Sequence, residues 1–390
     1  MPRNGRPNTP NDPRPTDSTG GEGGAGQPGP HGGSGKTNPS ESTLPSDILQ
    51  PPTRVAILGI GQMGLVCAGI LCRAQGGCAP VMWGHSEDEA GVLTQTRRSD
   101  RLREFVLPDS VRVTTDLERA ITGVDLVVSA VPVQFTRSVW EHLSKRLSPQ
   151  IGVVSVGKGI ENRSLLRPTQ VIAEALADDP DAKPRPIGVL SGPTIAAELA
   201  RGLPATMISA SDSPGFALKV QALFSTSYLR VYTNDDVLGV ELAGAMKNVI
   251  AIAAGILDGL QAGNNAKSAL LARGLAEITR LGAAMGASTD TFFGLAGVGD
   301  LATSCYSPEG RNRTCGEALG RGERLEDFLK RSPHVVEGVA TSRSVVDLAE
   351  KYRVDMPISQ SVHAVLFEGL DPIDAIGRLM NREQKAERVR

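Results

Sequence analysis

A short apolar run, Arg54-Val-Ala-Ile-Leu58, leads directly into Gly59-Ile-Gly61, and Gly64 follows three residues later. Few folds accept a strand that ends in G-x-G-x-x-G and continues as a helix. The first glycine permits the tight turn. The second lets the backbone approach a pyrophosphate, and the third lets helix and strand pack closely. The helix N-terminus then presents unpaired N–H groups to phosphate charge. The bare pattern is common, and a purely structural glycine turn is its plainer reading. Its place between an apolar strand and the helical spacing of QMGLVCAGILCRAQGG favours dinucleotide binding at Gly59, Gly61 and Gly64.

The strand–helix alternation then repeats. APVMWG, VDLVVSAVP, GVVSVGKGI, RPIGVLSGPT, PATMISAS and LRVYTN read as further strands, with helical stretches between most of them. Continuous apolar strands alternating with helices predict an α/β Rossmann-type doubly wound parallel sheet. From about residue 237 the strand runs cease and Ala/Leu/Gly-rich segments at helical spacing take over, which predicts an all-α C-terminal domain. A length of 390 residues accommodates two domains. Residues 1–52 stand apart, with 11 of the 26 prolines, 10 of the 44 glycines and no Phe, Trp or Tyr. Such a segment buries too little apolar surface to offset its chain entropy. The expected organisation is a disordered Pro/Gly-rich tail over 1–52, a dinucleotide-binding domain over 53–236 and a helical domain over 237–390.

Charge and composition exclude several roles. A net charge of −2 and a pI near 6.3 give no electrostatic reason to expect nucleic acid or an anionic membrane surface as a partner. No apolar run is expected to reach the roughly 18–20 residues that span a bilayer, and no signal-peptide core precedes residue 53. Five cysteines without metal-ligand spacing point to reduced thiols, a cytoplasmic location and no metal. Cys67, Cys72 and Cys78 read as small apolar residues.

About 20 residues beyond the glycines, where an acid would hold the ribose 2′-hydroxyl of NAD, the chain reads Trp83-Gly84-His85-Ser86, and Glu87 comes late. His85 and Ser86 can donate hydrogen bonds to a 2′-phosphate. NADP(H) is therefore the expected cofactor, with NAD(H) the alternative.

The segment ELAGAMKNVIAIAAGILDG, from Glu241 to Gly259, has the composition of a buried helix yet carries Lys247 and Asn248 at its centre. Burying an unpaired ammonium is costly and is relieved by a lowered pKa or a partner. The plainer reading is a lysine that snorkels to the surface. Similar polar residues lie in Gly- or Ala-rich surroundings at Lys158 (VGKGIE), Gly192 and Thr194 (LSGPT), Asp300 (GVGDL) and Arg311 and Asn312 (GRNR). Cations suit a phosphate, and Asp or Asn suits hydroxyl groups.

Together these stretches resemble the bacterial glycerol-3-phosphate dehydrogenase [NAD(P)+] family. GIGQMG, VMWGH, VGKGIEN, LSGPTIAAELARGLPA, ELAGAMKNVIAIAAGILDGL, LARGLAEITRLGAAMGA, GVGDL, GRNRTCG, VVEGVATSRSV and VDMPI follow that family's order and spacing from about Val55 to Leu379. The resemblance implies a C-terminal domain of the 6-phosphogluconate dehydrogenase C-terminal type. It also implies reversible hydride transfer between NAD(P)H and dihydroxyacetone phosphate, giving sn-glycerol 3-phosphate for phospholipid synthesis. Lys247 would be the acid/base, its pKa lowered by desolvation and by Lys158 or Arg311 and raised by Asp300. Lys158, Gly192, Thr194, Lys247, Asp300, Gly310, Arg311 and Asn312 would meet the substrate. Gln62, Met63, His85, Lys158, Ala196, Arg311, Val335 and Glu337 would join the three glycines at the cofactor. Helical domains of this kind often pair, so a homodimer is a guess.

The chain departs from the family in places. Gly310 stands where the family usually has serine, and its backbone N–H is the expected substitute for the lost hydroxyl. LVCAG replaces a Thr-Ala-rich stretch after the third glycine, and the loop TQTRRSDRLREFVLPD aligns poorly and receives no site. Asn248 receives no role. The competing readings are a related β-hydroxyacid dehydrogenase, which also uses a helix lysine, and a non-catalytic dinucleotide-binding regulator, which needs no lysine–aspartate–arginine set.

Overall fold

The computed structural model describes residues 53–74, 77–179, 183–332, 334–384 and 386–387. The tail expected over 1–52 lies outside the described residues. The strands are β1 (Val55–Leu58), β2 (Val81–Trp83), β3 (Arg112–Thr114), β4 (Leu126–Ser129), β5 (Gly152–Ser155), β6 (Ile187–Ser191), β7 (Ala205–Ser211) and β8 (Leu229–Asn234). They form one sheet in the order β3-β2-β1-β4-β5-β6-β7-β8. Every residue of β1, β4 and β5 is buried, because helices cover both faces, and this is why those strands read as unbroken apolar runs.

Two features differ from the sequence reading. β3 was not expected: its three residues, Arg-Val-Thr, are exposed or half-buried at the sheet edge and leave no apolar signature. All pairings are parallel except β6 with β7, which is antiparallel, Leu190 facing Ser209. The connection after β6 contains only the five-residue helix Ala196–Ala200, and the chain turns back rather than crossing over.

The strand order reverses between β1 and β4, and the crevice at their C-terminal ends is where an open α/β sheet takes its ligand. Gly59 leaves β1 there with φ +115°, and a Cβ would approach the Ala130 carbonyl oxygen to 2.7 Å. The glycine turn is thus forced both by backbone conformation and by the neighbouring strand. Gly64 sits beneath it, where a Cβ would lie 2.1 Å from the Gly59 carbonyl oxygen. The helix that follows, Gln62–Arg73, ends at Ala74, earlier than the Gly76-Gly77 stop read from the sequence.

Past β8 the chain becomes helical. Asp236 caps the 23-residue helix Val237–Gly259 by accepting from the Gly239 N–H at 2.8 Å. This helix is long and apolar enough to cross a membrane by length and composition, contrary to the expectation that no segment would be. Its faces are instead taken up by protein, against the helices Gly263–Met285, Arg311–Gly320 and Glu337–Tyr352. Contact with Arg311–Gly320 is unusually close. A Cβ on Gly255 would lie 1.9 Å from the Arg313 carbonyl oxygen, and one on Gly316 would lie 1.9 Å from that of Ile252.

The sheet carries apolar cores on its two faces, and the helical half has its own. Val189, Ile208 and Ala210 of the sheet meet Val237, Val240 and Ala296 in a smaller cluster that joins the halves. Glu241 ties them further. It is fully buried and accepts from the Thr169 N–H at 2.9 Å, from the Thr169 hydroxyl at 2.6 Å and from Arg167. Burial pushes its carboxyl above the usual range, against the pull of Arg167 and Thr169.

Candidate active site

A cleft of about 700 Å³ opens between the C-terminal ends of the strands and the helical half. Lys247 is 8% exposed in its wall, near the middle of the Val237–Gly259 helix. Its Nζ donates to Asp300 Oδ1 at 2.6 Å and to Ser304 Oγ at 2.8 Å. Lys158, arriving on the loop after β5, donates from Nζ to the other oxygen, Oδ2, also at 2.6 Å. One carboxylate, 1% exposed, therefore holds two ammonium groups. Burial lowers the Lys247 pKa to about 8; Asp300 resists the shift and Lys158 reinforces it. The expected contribution of Arg311 is not found. That side chain lies elsewhere in the cleft, donating from Nη1 to the Val335 carbonyl at 3.2 Å.

Local backbone explains how Asp300 reaches this position. Leu295–Gly299 form a π turn, closed by the Gly299 N–H on the Gly294 carbonyl at 3.2 Å, that runs directly into the helix Asp300–Tyr306. The turn is tight enough that a Cβ on Gly297 would lie 1.9 Å from the Phe292 carbonyl oxygen. One helical turn after Asp300, Ser304 emerges on the same face.

A chain of amides links the two sides of the cleft. Asn248 donates to the Lys158 carbonyl at 3.3 Å, Asn312 donates to Asn248 Oδ1 at 2.9 Å, and the Gly338 N–H donates to Asn312 Oδ1 at 2.9 Å. Arg311 and Asn312 open the helix that packs closely on the lysine helix, so that contact sets the span from Lys247 to Arg311. Beside them burial pushes the Glu337 carboxyl up to about 7, against the Val133 N–H and the charge of Arg311. Its Oε1 accepts from that N–H at 3.4 Å, while its buried Oε2 has no partner among the described residues.

Gly59, Gly61, Gln62, Met63, His85, Lys158, Thr194, Ala196, Lys247, Asp300, Gly310, Arg311, Asn312, Val335 and Glu337 all line this one cleft. Gly64 and Gly192 do not. Gly64 packs below the turn, and Gly192 lies behind Lys158, accepting from its Nζ at 2.8 Å. Thr194 is 3.4 Å from the same Nζ. Gly310 corrects an expectation: its N–H is already committed to the Ser307 carbonyl at 3.2 Å and does not replace a serine hydroxyl. The sequence reading missed Ser304 and Arg101, both in the cleft wall. The spacing from Asp300 to Ser304 was a usable signal for the first; nothing local announced the second. Among the described residues no group of three or more His, Cys, Asp or Glu is placed to hold a metal ion.

The residues fit a dinucleotide. A Cβ on Gly61 would meet nothing within 4 Å, which leaves the turn open toward the cleft, and the unpaired Glu337 oxygen lacks a donor that a ligand can supply. A G-x-G-x-x-G turn at a strand-order reversal, sharing its cleft with a partly neutralised lysine, defines a nicotinamide-dinucleotide oxidoreductase of Rossmann type. Residues 54–217 match the family described as NAD-dependent glycerol-3-phosphate dehydrogenase N-terminus, and residues 236–377 match its C-terminus counterpart. The chain belongs to this family. It is 43% identical over 334 residues to glycerol-3-phosphate dehydrogenase [NAD(P)+] 1 of Salinibacter ruber, covering 85% of this chain and 96% of that protein. It is 44% identical over 335 residues to glycerol-3-phosphate dehydrogenase [NAD(P)+] of Lysinibacillus sphaericus, covering 86% and 98%. The crystal structure of glycerol-3-phosphate dehydrogenase from Coxiella burnetii is similar with a TM-score of 0.80 and 33% identity, covering 85% of this chain and 99% of that one.

Proposed function

We propose that this chain catalyses the reversible, NAD(P)H-dependent reduction of dihydroxyacetone phosphate to sn-glycerol 3-phosphate, in the cytoplasm and in support of phospholipid synthesis. The observation that carries the reading is Lys247, its pKa lowered to about 8, sharing Asp300 with Lys158 in the cleft that also receives the glycine turn. All five cysteines are free thiols, which supports a reducing compartment.

The dinucleotide would be held by the turn Gly59–Gly64 with Gln62, Met63, His85, Ala196, Arg311, Val335 and Glu337, and when bound it supplies or accepts the hydride. The remaining work belongs to the chain's own groups. In reduction, negative charge develops on the ketone oxygen, the Lys247 ammonium gives that oxygen a proton, and the lysine is left as a neutral amine. In oxidation the neutral amine takes the proton from the hydroxyl. Asp300 and Ser304 hold Nζ in place, and Lys158 adds a second positive charge near the developing alkoxide. Arg311 and Asn312, at a helix N-terminus, suit the substrate phosphate. Gly192 and Thr194 act through Lys158. The 53–236 and 237–390 halves would serve as the nucleotide-gripping and catalytic domains.

His85 and Ser86 at the end of β2 favour NADPH over NADH. The test is NADPH absorbance followed with dihydroxyacetone phosphate in a scan that includes β-keto acids. Turnover of dihydroxyacetone phosphate is expected; its absence alongside β-keto acid turnover would transfer the chain to the β-hydroxyacid class.

A further inference from the structure

Arg101 sits in the short turn Asp100–Leu102, inside the loop to which the sequence reading gave no site. Two anchors fix it. Its carbonyl accepts from Gln62 Nε2 at 2.7 Å, which ties it to the first residue of the helix that follows the glycine turn. Its guanidinium grips Glu89 with two bonds, Nε to Oε2 at 3.2 Å and Nη2 to Oε1 at 2.5 Å. Glu89 belongs to an acidic first turn, Glu87-Asp88-Glu89, of the helix capped by Ser86 just after β2. Of these three acids, Glu89 is the one in the cleft wall, beside His85 and Ser86. Across the cleft, the charge of Arg101 is felt at Arg311 and His334, where it favours their neutral forms.

The end of β2 is where a dinucleotide on this turn exposes its adenosine ribose. A free carboxylate there accepts the 2′-hydroxyl of NADH and repels the 2′-phosphate of NADPH. Here both oxygens of Glu89 are turned onto a cation, so its capacity to accept from a ribose is largely spent. The guanidinium has donors to spare: five N–H groups, two of them used on Glu89, with Nη1 making no bond among the described residues. A planar fork of this kind matches a phosphate.

We propose that Arg101 is a specificity-determining residue that masks Glu89 and donates from its free edge to the cofactor's 2′-phosphate. The assignment rests on the dinucleotide reading above. The test measures dissociation constants by fluorescence titration for NADPH and NADH, and by competition for adenosine 2′,5′-bisphosphate, with the wild type and Arg101→Gln. Loss of one charge-assisted contact should weaken NADPH and the bisphosphate about tenfold to a hundredfold. NADH should change by less than about threefold, and its retained binding also reports that the variant folds. Equal weakening of both dinucleotides would overturn the proposal and move Arg101 to the shared pyrophosphate. Unchanged NADPH binding would overturn it as well. A wild type that binds neither dinucleotide would instead sink the cofactor reading, and this assignment with it.

Discussion

The molecule buries two lysines of similar exposure in similar company and uses them differently. Lys247 and Lys267 are 8% and 7% exposed, and each pairs with an aspartate that also holds a second cation. Asp258 accepts from Lys267 at 2.6 and 2.7 Å and pairs with Arg313. There a second acid balances the account of charge: Glu317 pairs with Arg313 and Arg321, while the Tyr306 ring covers Lys267 at 5.0 Å. Around Asp300 two ammonium groups share one carboxylate, and both face the cleft. Burial alone therefore does not mark a functional lysine. Excess like charge beside an open volume does, because it holds the ammonium close to releasing its proton.

The sharpest way to break this contrast is to remove each amine. Lys247→Ala should lower turnover by about 10²–10⁴-fold, the range of one general acid, with NADPH affinity nearly unchanged. Retention of turnover within tenfold would show another group moving the proton. Asp300→Asn leaves the two ammonium groups facing one another without a counter-charge. It should cost turnover and shift the pH profile of Lys247 toward acid, measured as kcat/KM against pH. In the unaltered protein, reduction needs the ammonium and should fall as pH rises through about 8, while oxidation needs the amine and should rise through the same value. Matching slopes in the two directions would remove Lys247 from the proton transfer. Lys267→Met should leave kcat near its original value and lower unfolding free energy by about 1–3 kcal/mol, since Arg313 still holds Asp258. A catalytic defect with unchanged melting would invert the comparison. The smallest effect belongs to Ser304→Ala, which removes one hydrogen bond to Nζ and should slow turnover about two- to tenfold.

Much of this was legible in the sequence, and the exceptions have physical causes. β1, β4 and β5 could be read because strands covered on both faces must be apolar throughout. β3 could not, since three residues at an edge need no such pattern. The antiparallel turn of β7 depends on what a short connection can span, which strand composition does not record. Lys247 stood out because a cation in an apolar helix conflicts with its surroundings. Arg101 had no such conflict. An arginine in a polar loop is ordinary, and its importance arises from Glu89 and Gln62, 12 and 39 residues away in sequence. The role expected for the Gly310 N–H failed because a helix start had already engaged that donor within its own turn.

The close contact at Gly255 and Gly316 extends beyond packing. Asn312 lies one helical turn before Gly316, so a methyl group at 316 would act as a wedge whose push is felt at the amide chain to Asn248. A chain changed there could keep its stability and hold Lys247 in place while misaligning the far end of a bound triose. Selection on chemistry, rather than on folding, would then be what keeps that position bare.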